Sequence, residues 1–400
     1  MTGPGGGQPT SEPGCDPGRE PGAPHPPTSV ACVGAGTMGA GIALAFALGG
    51  SAATMVARRK ATLEAAWRRI EESVSLLAEA GRVPGAEREA VLERIAGTTD
   101  LDGTDLGTDL VVESVAEDVA VKRQLYEAIE PRLGPSTILG TCTSSLPLGE
   151  LAAGLARPER FIGYHWFNPP ELVALVEIVP AGRTAAAVTD RVEAFSLAIG
   201  KQPVRVAADV PGFVANRLQY ALIREAYHLV EAGVCTPDDV DRVVTAGLGP
   251  RWAAVGPFAS MDLAGLDVHR EVAEQLFPRL SASTAVPPML TAVAAEGALG
   301  VKSGRGLLGS YGEQRVREVI GLRARVLLAL DGMRRLAPGQ IHLAERSLVH
   351  ARGQRTVRLE GAAQSVGADI GLTPARSSRL TRITTTVMIS ASSAIPAETR

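Results

Sequence analysis

The sequence predicts an α/β domain, in which helices cover a parallel β-sheet, followed by a second domain made only of helices. Two observations predict this order. From Ser29 onwards short apolar runs alternate with longer amphipathic segments, a pattern typical of parallel strands joined by helices. After Pro211 only helical patterns follow, as far as about Leu336. We therefore expect the α/β domain at residues 29–209 and the helical domain at residues 210–336.

The two ends of the chain predict little ordered structure. Residues 1–28 are crowded with Pro and Gly and contain almost no large apolar side chain, so burial cannot offset the entropy lost on ordering. Residues 337–400 contain no Lys and no aromatic residue and are rich in Ser, Thr and Arg. We predict a disordered leader at residues 1–28 and a poorly ordered tail at residues 337–400.

Seven apolar runs are predicted to form the sheet, because each has the length of a strand and lies between turn-forming or amphipathic segments. They are residues 29–33, 52–57, 109–112, 137–140, 161–166, 173–179 and 203–207. Between the second and third runs, residues 61–95 have a helical pattern that is interrupted at residues 82–85. This interruption predicts a helical hairpin.

The predicted helical domain opens with a long amphipathic helix at residues 213–232, whose Leu218, Leu222 and Leu229 fall on one stripe. Thr236, which is followed by two aspartates, predicts the N-cap of the next helix. The boundary between the domains is expected near residues 209–212.

Composition excludes several classes of partner. The 400-residue chain is 45% hydrophobic with a formal net charge of −3, which gives no electrostatic reason to expect nucleic acid or an anionic membrane. Its four cysteines lie far apart, so neither a disulfide framework nor a metal site is predicted. The apolar stretch at residues 40–48 is too short to span a bilayer and follows no basic segment typical of a signal peptide. We expect a cytoplasmic protein that acts on a small molecule.

The G-A-G-T-M-G turn lies between the first apolar run and a helical pattern, the order that a Rossmann-type dinucleotide-binding domain requires. Gly34 permits the tight turn, Gly36 lets the backbone approach a pyrophosphate, and Gly39 lets the helix pack close to the strand. Thr37 and Met38 lie at the helix N-terminus, which faces the negative charge. We therefore predict that these five residues bind a dinucleotide.

A second G-x-G-x-x-G is formed by Gly304, Gly306 and Gly309. It follows no apolar run, so we do not expect it to bind a dinucleotide.

The segment after the second predicted strand favours NADP, or use of both cofactors, over strict use of NAD. NAD-binding domains usually carry an acid there for the ribose hydroxyls, but no Asp or Glu occurs from Pro21 to Leu63. Instead Arg58, Arg59 and Lys60 follow the strand, and such cations would attract a 2′-phosphate. The alternative is a solvated helix start, although cations do not suit the helix dipole there unless an anion is bound.

His165 and Glu177 are predicted to form a catalytic pair. His165 ends an apolar run, where side chains reach the crevice at the carboxyl edge of a parallel sheet. Glu177 follows twelve residues later in another apolar run, where a buried carboxylate needs a partner. Imidazole changes its charge near neutral pH and suits the removal of a hydroxyl proton. The alternative for His165 is a structural histidine with satisfied hydrogen bonds.

Seven motifs give the segment from about Ser29 to Tyr311 a close resemblance to the 3-hydroxyacyl-CoA dehydrogenases, with the same order and matching spacing. They are G-A-G-T-M-G, V-V-E-S-V-A-E-D-V-A-V-K, T-S-S-L, F-I-G-Y-H-W-F-N-P-P-E-L-V-A-L-V-E-I-V, G-K-Q-P-V, P-G-F-V-A-N-R-L and K-S-G-R-G. The resemblance implies a Rossmann domain, a helical domain that forms a homodimer, and a role in fatty acid metabolism. It also implies that an L-3-hydroxyacyl-CoA and a 3-oxoacyl-CoA are interconverted with NAD or NADP.

The resemblance assigns further site residues. His165 and Glu177 match the family's His–Glu dyad, and Ser144 and Asn216 match residues that bond the reacting oxygen. The alternatives are a helix cap for Ser144 and an internal polar residue of a helix for Asn216. Glu117 and Lys122 match positions near the nicotinamide end of the cofactor, and their alternative is an exposed helix pair. Cys142 departs from the family, which usually carries Asn at this position.

Two other functions stay open at this stage. The H-W-F-N-P-P and N-R-L-Q-Y runs resemble the lambda-crystallin-like branch, which includes dehydrogenases of free hydroxy acids such as gulonate or carnitine. The free-acid alternative changes only the substrate. The second alternative is a crystallin-like protein that binds a nucleotide and catalyses nothing.

Overall fold

The structure is a computed structural model that describes residues 24–336. The strands of its main sheet are β1 (Ser29–Val33), β2 (Ala52–Val56), β3 (Ile95–Thr98), β4 (Leu110–Glu113), β5 (Ile138–Thr141), β6 (Phe161–Trp166), β7 (Leu175–Pro180) and β8 (Gln202–Arg205). The predicted tail at residues 337–400 and residues 1–23 of the predicted leader lie outside the described residues.

Six helices accompany this sheet. They are α1 (Thr37–Leu48), α2 (Lys60–Glu79), α3 (Arg88–Glu93), α4 (Val119–Ile129), α5 (Leu148–Ala152) and α6 (Ala186–Ala198). The remaining helices are α7 (Ala215–Glu231), α8 (Pro237–Val243), α9 (Gly249–Ala254), α10 (Pro257–Ala264), α11 (Leu266–Leu276), α12 (Pro288–Ala295) and α13 (Glu313–Leu336). A short antiparallel pair, β9 (Arg305–Gly306) and β10 (Gly309–Ser310), precedes α13.

The sheet has the strand order β3-β2-β1-β4-β5-β6-β7-β8. The chain winds outward from β1 to β3, then crosses back so that β4 pairs with the other side of β1. The prediction of an all-parallel sheet was wrong at one pair, because β6 and β7 are antiparallel. Only the short segment 167–174 connects them, whereas a parallel crossover needs a dozen or more residues.

All seven predicted strands are present; two have the predicted ends, and the ends of the other five differ by at most two residues. The eighth, β3, was missed, because the helical pattern was continued to Ile95. In this strand only Ile95 is buried, so the run I-A-G-T lacks the apolar character by which the others were found.

The last residues of the predicted leader are attached to the sheet. The backbone N–H of Thr28 donates to the Asp109 carboxylate at 2.7 Å, and Pro27 is buried. The prediction of a disordered leader up to residue 28 was therefore wrong for this short stretch, since Thr28 precedes β1 directly.

Each face of the sheet is covered by its own apolar core, as alternation along β6 illustrates. Ile162, Tyr164 and Trp166 belong to the core that contains α1 and α2, whereas Phe161 belongs to the core that contains α4 and α5. His165 alternates with these aromatic residues, so it lies on the Phe161 face of the strand.

The helical region was predicted as one domain ending at residue 336, but its last helix packs elsewhere. Ala324 and Leu328 of α13 are buried in the core that contains α1 and α2, and Asp331 pairs with Arg82 at 2.6 Å. An amphipathic pattern predicts a helix without indicating which surface covers it, which explains the difference. The predicted cap of α8 is confirmed, since Thr236 and Asp239 form a capping box. In residues 24–336, no helix combines the length with the hydropathy that a membrane span requires.

Candidate active site

The predicted site residues gather at one edge of the sheet. The strands β1, β4, β5 and β6 are parallel, so their carboxyl ends share this edge. The strand order changes direction between β1 and β4, and ligands of open α/β sheets bind in the crevice at such a point.

The G-A-G-T-M-G turn has the backbone geometry that was predicted for it. Gly34 has φ +107°, and a Cβ there would lie 2.7 Å from the backbone of Ser114. A Cβ on Gly39 would lie 1.8 Å from the carbonyl oxygen of Gly34, so only glycine fits where α1 crosses β1. Within the described residues, a Cβ on Gly36 would meet no atom closer than 4 Å.

The open space beside Gly36 favours a turn that binds a dinucleotide. Internal packing does not require glycine there, but a pyrophosphate approaching the backbone would. Thr37 and Met38 begin α1, whose first N–H groups have no partners within the helix, and the described residues supply no side-chain cap there. The turn therefore fits the phosphates of a dinucleotide.

The second glycine motif has a different structure. Gly304 lies in a left-handed turn with φ +73°, and Gly306 and Gly309 lie in the antiparallel pair β9 and β10. A parallel strand followed by a helix is the context that binds dinucleotides, and this hairpin does not provide it.

Arg58, Arg59 and Lys60 are exposed at the start of α2, directly after β2. Lys60 lies 3.9 Å from Glu64 one turn further on, and both side chains are mostly exposed. The first turn of α2, all of it described, contains no acidic residue. The positive helix end and the three cations add to one another, so the electrostatic potential there favours a negative charge.

The structure brings His165 and Glu177 together. They are register partners on the antiparallel strands β6 and β7, so their side chains lie on the same face of the sheet. The distance from His165 Nδ1 to Glu177 Oε2 is 2.8 Å, and both side chains are almost fully buried.

Glu177 also joins the two domains. Its Oε1 accepts hydrogen bonds from the backbone N–H of Val214 at 3.0 Å and of Ala215 at 2.9 Å, where α7 begins. Burial by itself would raise the pKa of the Glu177 carboxyl, but the hydrogen bonds from His165, Ala215 and Val214 outweigh burial and lower it.

The ionised Glu177 defines the proton on the imidazole. A carboxylate can only accept hydrogen bonds, so Nδ1 of His165 carries the hydrogen and donates it to Glu177. Nε2 then keeps its lone pair, and it faces Ser144 Oγ at 3.2 Å. The pair can therefore take up a proton at Nε2 while Glu177 balances the charge.

Ser144 lies beside this nitrogen, and Asn216 contacts Ser144. Ser144 is exposed after β5, and Asn216 is half-buried in the first turn of α7. The Asn216 amide donates to the carbonyl oxygen of Ser144 at 3.4 Å. A hydroxyl, an amide and an imidazole thus converge where the oxygen of an alcohol or a ketone could bind.

Glu117 and Lys122 do not form the exposed helix pair that was their alternative. The Lys122 ammonium is fully buried and lies 2.7 Å from Glu113 Oε1 and 3.7 Å from Glu117 Oε2. Glu117 is partly exposed at the crevice and accepts a hydrogen bond from the backbone N–H of Ser144 at 2.8 Å. Contact of either residue with a cofactor stays a prediction.

Sequence reasoning missed two aromatic neighbours of His165. The Phe167 and Phe213 rings have their centroids 4.4 and 5.5 Å from the imidazole centroid. Phe213 is buried and has φ +48°, which is rare for a bulky residue. Its place two residues before α7, next to the glycine of P-G-F, was the signal that could have identified it.

Cys142, the departure from the family, lies directly after β5 and two residues before Ser144. Burial raises the pKa of its thiol to about 11. The thiol is therefore protonated at neutral pH and is a poor nucleophile.

The described residues contain no group of three or more His, Cys, Asp or Glu that could hold a metal ion. The features of the crevice are instead a glycine turn that fits a dinucleotide, a histidine with an ionised partner, and a hydroxyl and an amide near that histidine. A Rossmann domain with this site defines a dinucleotide-dependent oxidoreductase that moves a proton while hydride is transferred.

Comparison with protein families identifies the group within this class. Residues 29–210 match the NAD-binding domain of 3-hydroxyacyl-CoA dehydrogenase, and residues 212–310 match its C-terminal domain. The chain belongs to the 3-hydroxyacyl-CoA dehydrogenase family of NAD-dependent oxidoreductases.

Two curated relatives illustrate the range of the family. The 5-formyl-3-hydroxy-2-methylpyridine 4-carboxylate 5-dehydrogenase of Mesorhizobium japonicum is 35% identical over 312 residues, which are 78% of this chain and 99% of that protein. The 3-hydroxybutyryl-CoA dehydrogenase of Mycobacterium tuberculosis is 38% identical over 281 residues, which are 69% of this chain and 96% of that protein.

Among solved structures, the crystal structure of the 5-formyl-3-hydroxy-2-methylpyridine 4-carboxylic acid 5-dehydrogenase, an NAD⁺-dependent dismutase, is similar with a TM-score of 0.72. At 35% identity it covers 78% of this chain and 99% of its own. The fold, the family and the use of NAD are therefore established, whereas these relatives act on different substrates.

Proposed function

We propose that the protein interconverts an L-3-hydroxyacyl-CoA and a 3-oxoacyl-CoA, with His165 as the base and Glu177 as its partner. The observation that carries the proposal is the chain of contacts from Glu177 through His165 to Ser144, at 2.8 and 3.2 Å. It presents an unprotonated nitrogen beside two groups that can bond an alcohol oxygen.

In the oxidation, the 3-hydroxyl binds against Ser144, Asn216 and Nε2 of His165. Its proton passes to Nε2 as the C–H bond breaks with its electron pair and the C=O bond forms. The nicotinamide, when bound, supplies the hydride acceptor. Glu177 stabilises the imidazolium through the hydrogen bond to Nδ1, and in the reduction His165 returns the proton to the oxygen.

A second candidate is a dehydrogenase of a free hydroxy acid, of the gulonate or carnitine type. Its support is the match with the Mesorhizobium enzyme, whose name specifies a free pyridine carboxylate. That match covers 312 residues of this chain, more than the 281 residues that the two family domains cover together. The candidate keeps the same chemistry and changes only the group that carries the substrate.

Steady-state assays of the purified protein decide between the two. Hydroxybutyryl-CoA, gulonate, carnitine and the free pyridine aldehyde acid should each be tested with both cofactors. We expect the highest kcat/KM for the CoA thioester. A free acid preferred by roughly tenfold or more would establish the second candidate. If the protein binds cofactor but turns over none of these compounds, the crystallin-like alternative gains support.

We also propose that the protein uses NADP at least as well as NAD, because of the exposed Arg58, Arg59 and Lys60. The family model describes an NAD-binding domain, so NAD is the reference cofactor. Arg58→Asp should raise the KM for NADP by roughly tenfold or more, since a charge-assisted hydrogen bond to a phosphate is lost. The KM for NAD should change little or fall.

A matched control is Arg68→Asp, which changes an exposed arginine further along the same helix. It should leave the ratio of the two KM values unchanged. An equal effect of both substitutions, or no change with Arg58→Asp, would rule out a 2′-phosphate site after β2.

A homodimer formed through the helical domain is a further part of the proposal. In the six helices from Ala215 to Ala295, all within the described part, every side chain is at least partly exposed. Leu218, Phe258 and Phe277 are 64%, 79% and 70% exposed. Apolar surface on this scale is typical of an interface, and a second copy of the chain is always present to cover it.

Light scattering should give twice the mass of the chain. Phe258→Glu should raise the dissociation constant of the dimer at least roughly tenfold, because it buries a charge in the interface. The control Leu197→Glu alters an equally apolar, half-exposed position in the first domain and should leave the mass unchanged. A wild-type protein that stays monomeric at all concentrations would disprove the dimer.

A further inference from the structure

Glu113, the last residue of β4, is a fully buried carboxylate outside the His165–Glu177 pair. Its Oε1 accepts from the backbone N–H of Val115 at 2.6 Å and from Lys122 Nζ at 2.7 Å. Its Oε2 accepts from the Tyr126 hydroxyl at 2.6 Å and from the Thr141 hydroxyl at 2.8 Å. Four donors compensate a charge that would otherwise be too costly to bury.

Lys122 connects this carboxylate to the crevice. It lies in the first turn of α4, and its ammonium is 2.7 Å from Glu113 and 3.7 Å from the second oxygen of Glu117. Negative, positive and negative charges therefore follow one another from the interior to the crevice. Because the dielectric constant of the interior is low, opposite charges attract strongly there. Each charged group therefore restricts the position of the next.

Glu117 in turn holds the segment after β5. Its Oε1 accepts from the Thr143 hydroxyl at 2.6 Å and from the backbone N–H of Ser144 and Ser145 at 2.8 and 3.2 Å. With the Ser145 hydroxyl at 3.5 Å, four donors on one oxygen fix the backbone of a turn whose residues Ser144 and Ser145 are exposed. Ser144 carries its hydroxyl on this turn, 3.2 Å from His165 Nε2.

We propose that Glu113 is a positioning residue, which acts through Lys122 and Glu117 to hold the Ser144 hydroxyl within hydrogen-bonding distance of His165. The inference rests on the proposed roles of Ser144 and His165. Glu113 makes no hydrogen bond to His165 itself, so it acts on the reaction through its neighbours, among which Lys122 leads to Glu117 and to the backbone of residues 143–145.

A purely structural role for Glu113 makes a different prediction. The hydroxyls of Tyr126 and Thr141 attach α4 and β5 to the same carboxylate. If Glu113 were only structural, loss of these two hydrogen bonds would destabilise the whole fold. Burial and the neighbouring carboxylate raise the pKa of Tyr126, so its hydroxyl stays a donor. A structural residue changes the free energy of unfolding without regard to Ser144, whereas a positioning residue changes kcat only while Ser144 is present.

A double-mutant cycle in the full-length protein separates these roles. Glu113→Gln keeps the shape of the side chain and removes its charge. We expect it to lower kcat roughly tenfold in the wild-type background, and by less than about threefold in a Ser144→Ala background. Equal losses in both backgrounds, or a loss confined to the KM for the cofactor, would overturn the proposal.

A second readout is independent of turnover. In protein labelled with ¹⁵N-histidine, the Nε2 resonance of His165 reports its hydrogen bond to Ser144. We expect Glu113→Gln to shift this resonance towards its position in Ser144→Ala, and an unchanged resonance would contradict the proposal. If the wild-type enzyme oxidises no tested substrate, the proposed function fails, but the resonance still tests this inference.

Two further variants control for stability. Arg82→Met removes another largely buried ion pair, the one with Asp331 of α13, and should lower the melting temperature while leaving kcat unchanged. If Glu113→Gln does not fold, Glu113→Gln combined with Lys122→Met removes both buried charges and leaves none unpaired. This double variant should fold and show the same shift of the His165 resonance, a readout that does not depend on a contact between Lys122 and the cofactor; an unshifted resonance would overturn the proposal.

Discussion

Replacing His165 with alanine is expected to lower kcat at least roughly 1,000-fold, towards the upper end of what a general base contributes. The structure gives the reason, because Nε2 of His165 is the one nitrogen of the ring that Glu177 leaves free to accept a proton. Alanine removes the proton acceptor and the partner of the Ser144 hydroxyl together. Pre-steady-state hydride transfer, followed by cofactor absorbance, measures the effect on the chemical step.

Binding of the cofactor should survive this substitution. The phosphate-binding turn lies on β1 and α1, whereas His165 lies on β6, three strands away in the sheet. Fluorescence titration should therefore give dissociation constants within about twofold of those of the wild type, a change too small to register a lost hydrogen bond. His228→Ala, which removes an exposed imidazole from α7, serves as the control with full activity. A His165→Ala enzyme with near wild-type kcat would remove this residue from the mechanism.

The pairing of His165 with Glu177 was predictable because each residue gave a local signal. Each is a polar group inside an apolar run, and a buried charge requires a partner. The direction of the pairing was predictable in principle as well. Segment 167–174 is too short for a parallel crossover. Its length therefore predicts that β6 and β7 are antiparallel.

Glu113 gave the same kind of signal as Glu177 and was overlooked. It ends the apolar run L-V-V-E of β4. The resemblance assigned roles to Glu117 and Lys122 but none to Glu113. The buried contact between Lys122 and Glu113 follows from their spacing only once β4 and α4 are placed side by side. Short-range patterns indicate that a charge is buried, whereas tertiary structure determines which neighbour compensates it.

Other parts of the site had no sequence signal of their own. The donors from Val214 and Ala215 to Glu177 are backbone N–H groups, which any residue except proline supplies. They matter because they attach the start of α7, and with it Asn216, to the carboxylate that orients His165. Glu177 thereby positions the helical domain next to His165 and also orients the imidazole.

Replacing Glu177 with glutamine is the second substitution from which we expect a large loss, roughly 100-fold in kcat. The amide has one acceptor oxygen for the donors that the carboxylate now satisfies with two. If that oxygen keeps the N–H groups of Val214 and Ala215, the amide nitrogen faces Nδ1 of His165 and forces it to accept. The proton of the ring then moves to Nε2, which can no longer take one from the substrate.

The matched control is Glu127→Gln, an exposed carboxylate on α4, which should keep its activity. The pH profile of kcat/KM in Glu177→Gln should also change shape, because the imidazolium loses the charge that stabilises it. A wild-type rate and an unchanged profile would contradict the assigned tautomer as well as the role of Glu177.

Acid stability offers an independent test of the same carboxylate. The pKa of Glu177 is lowered in the folded protein, so the ionised group stabilises the fold above the ordinary carboxyl pKa of about 4.3, and this contribution is lost as the pH falls through the lowered value. Glutamine does not titrate, so the free energy of unfolding of Glu177→Gln should fall less between pH 7 and pH 3 than that of the wild type. An equal fall in both proteins would mean that the carboxylate is not held ionised by His165 and α7. There would then be no ionised carboxylate to keep the hydrogen on Nδ1 of His165, and the proposed proton transfer to Nε2 depends on that tautomer.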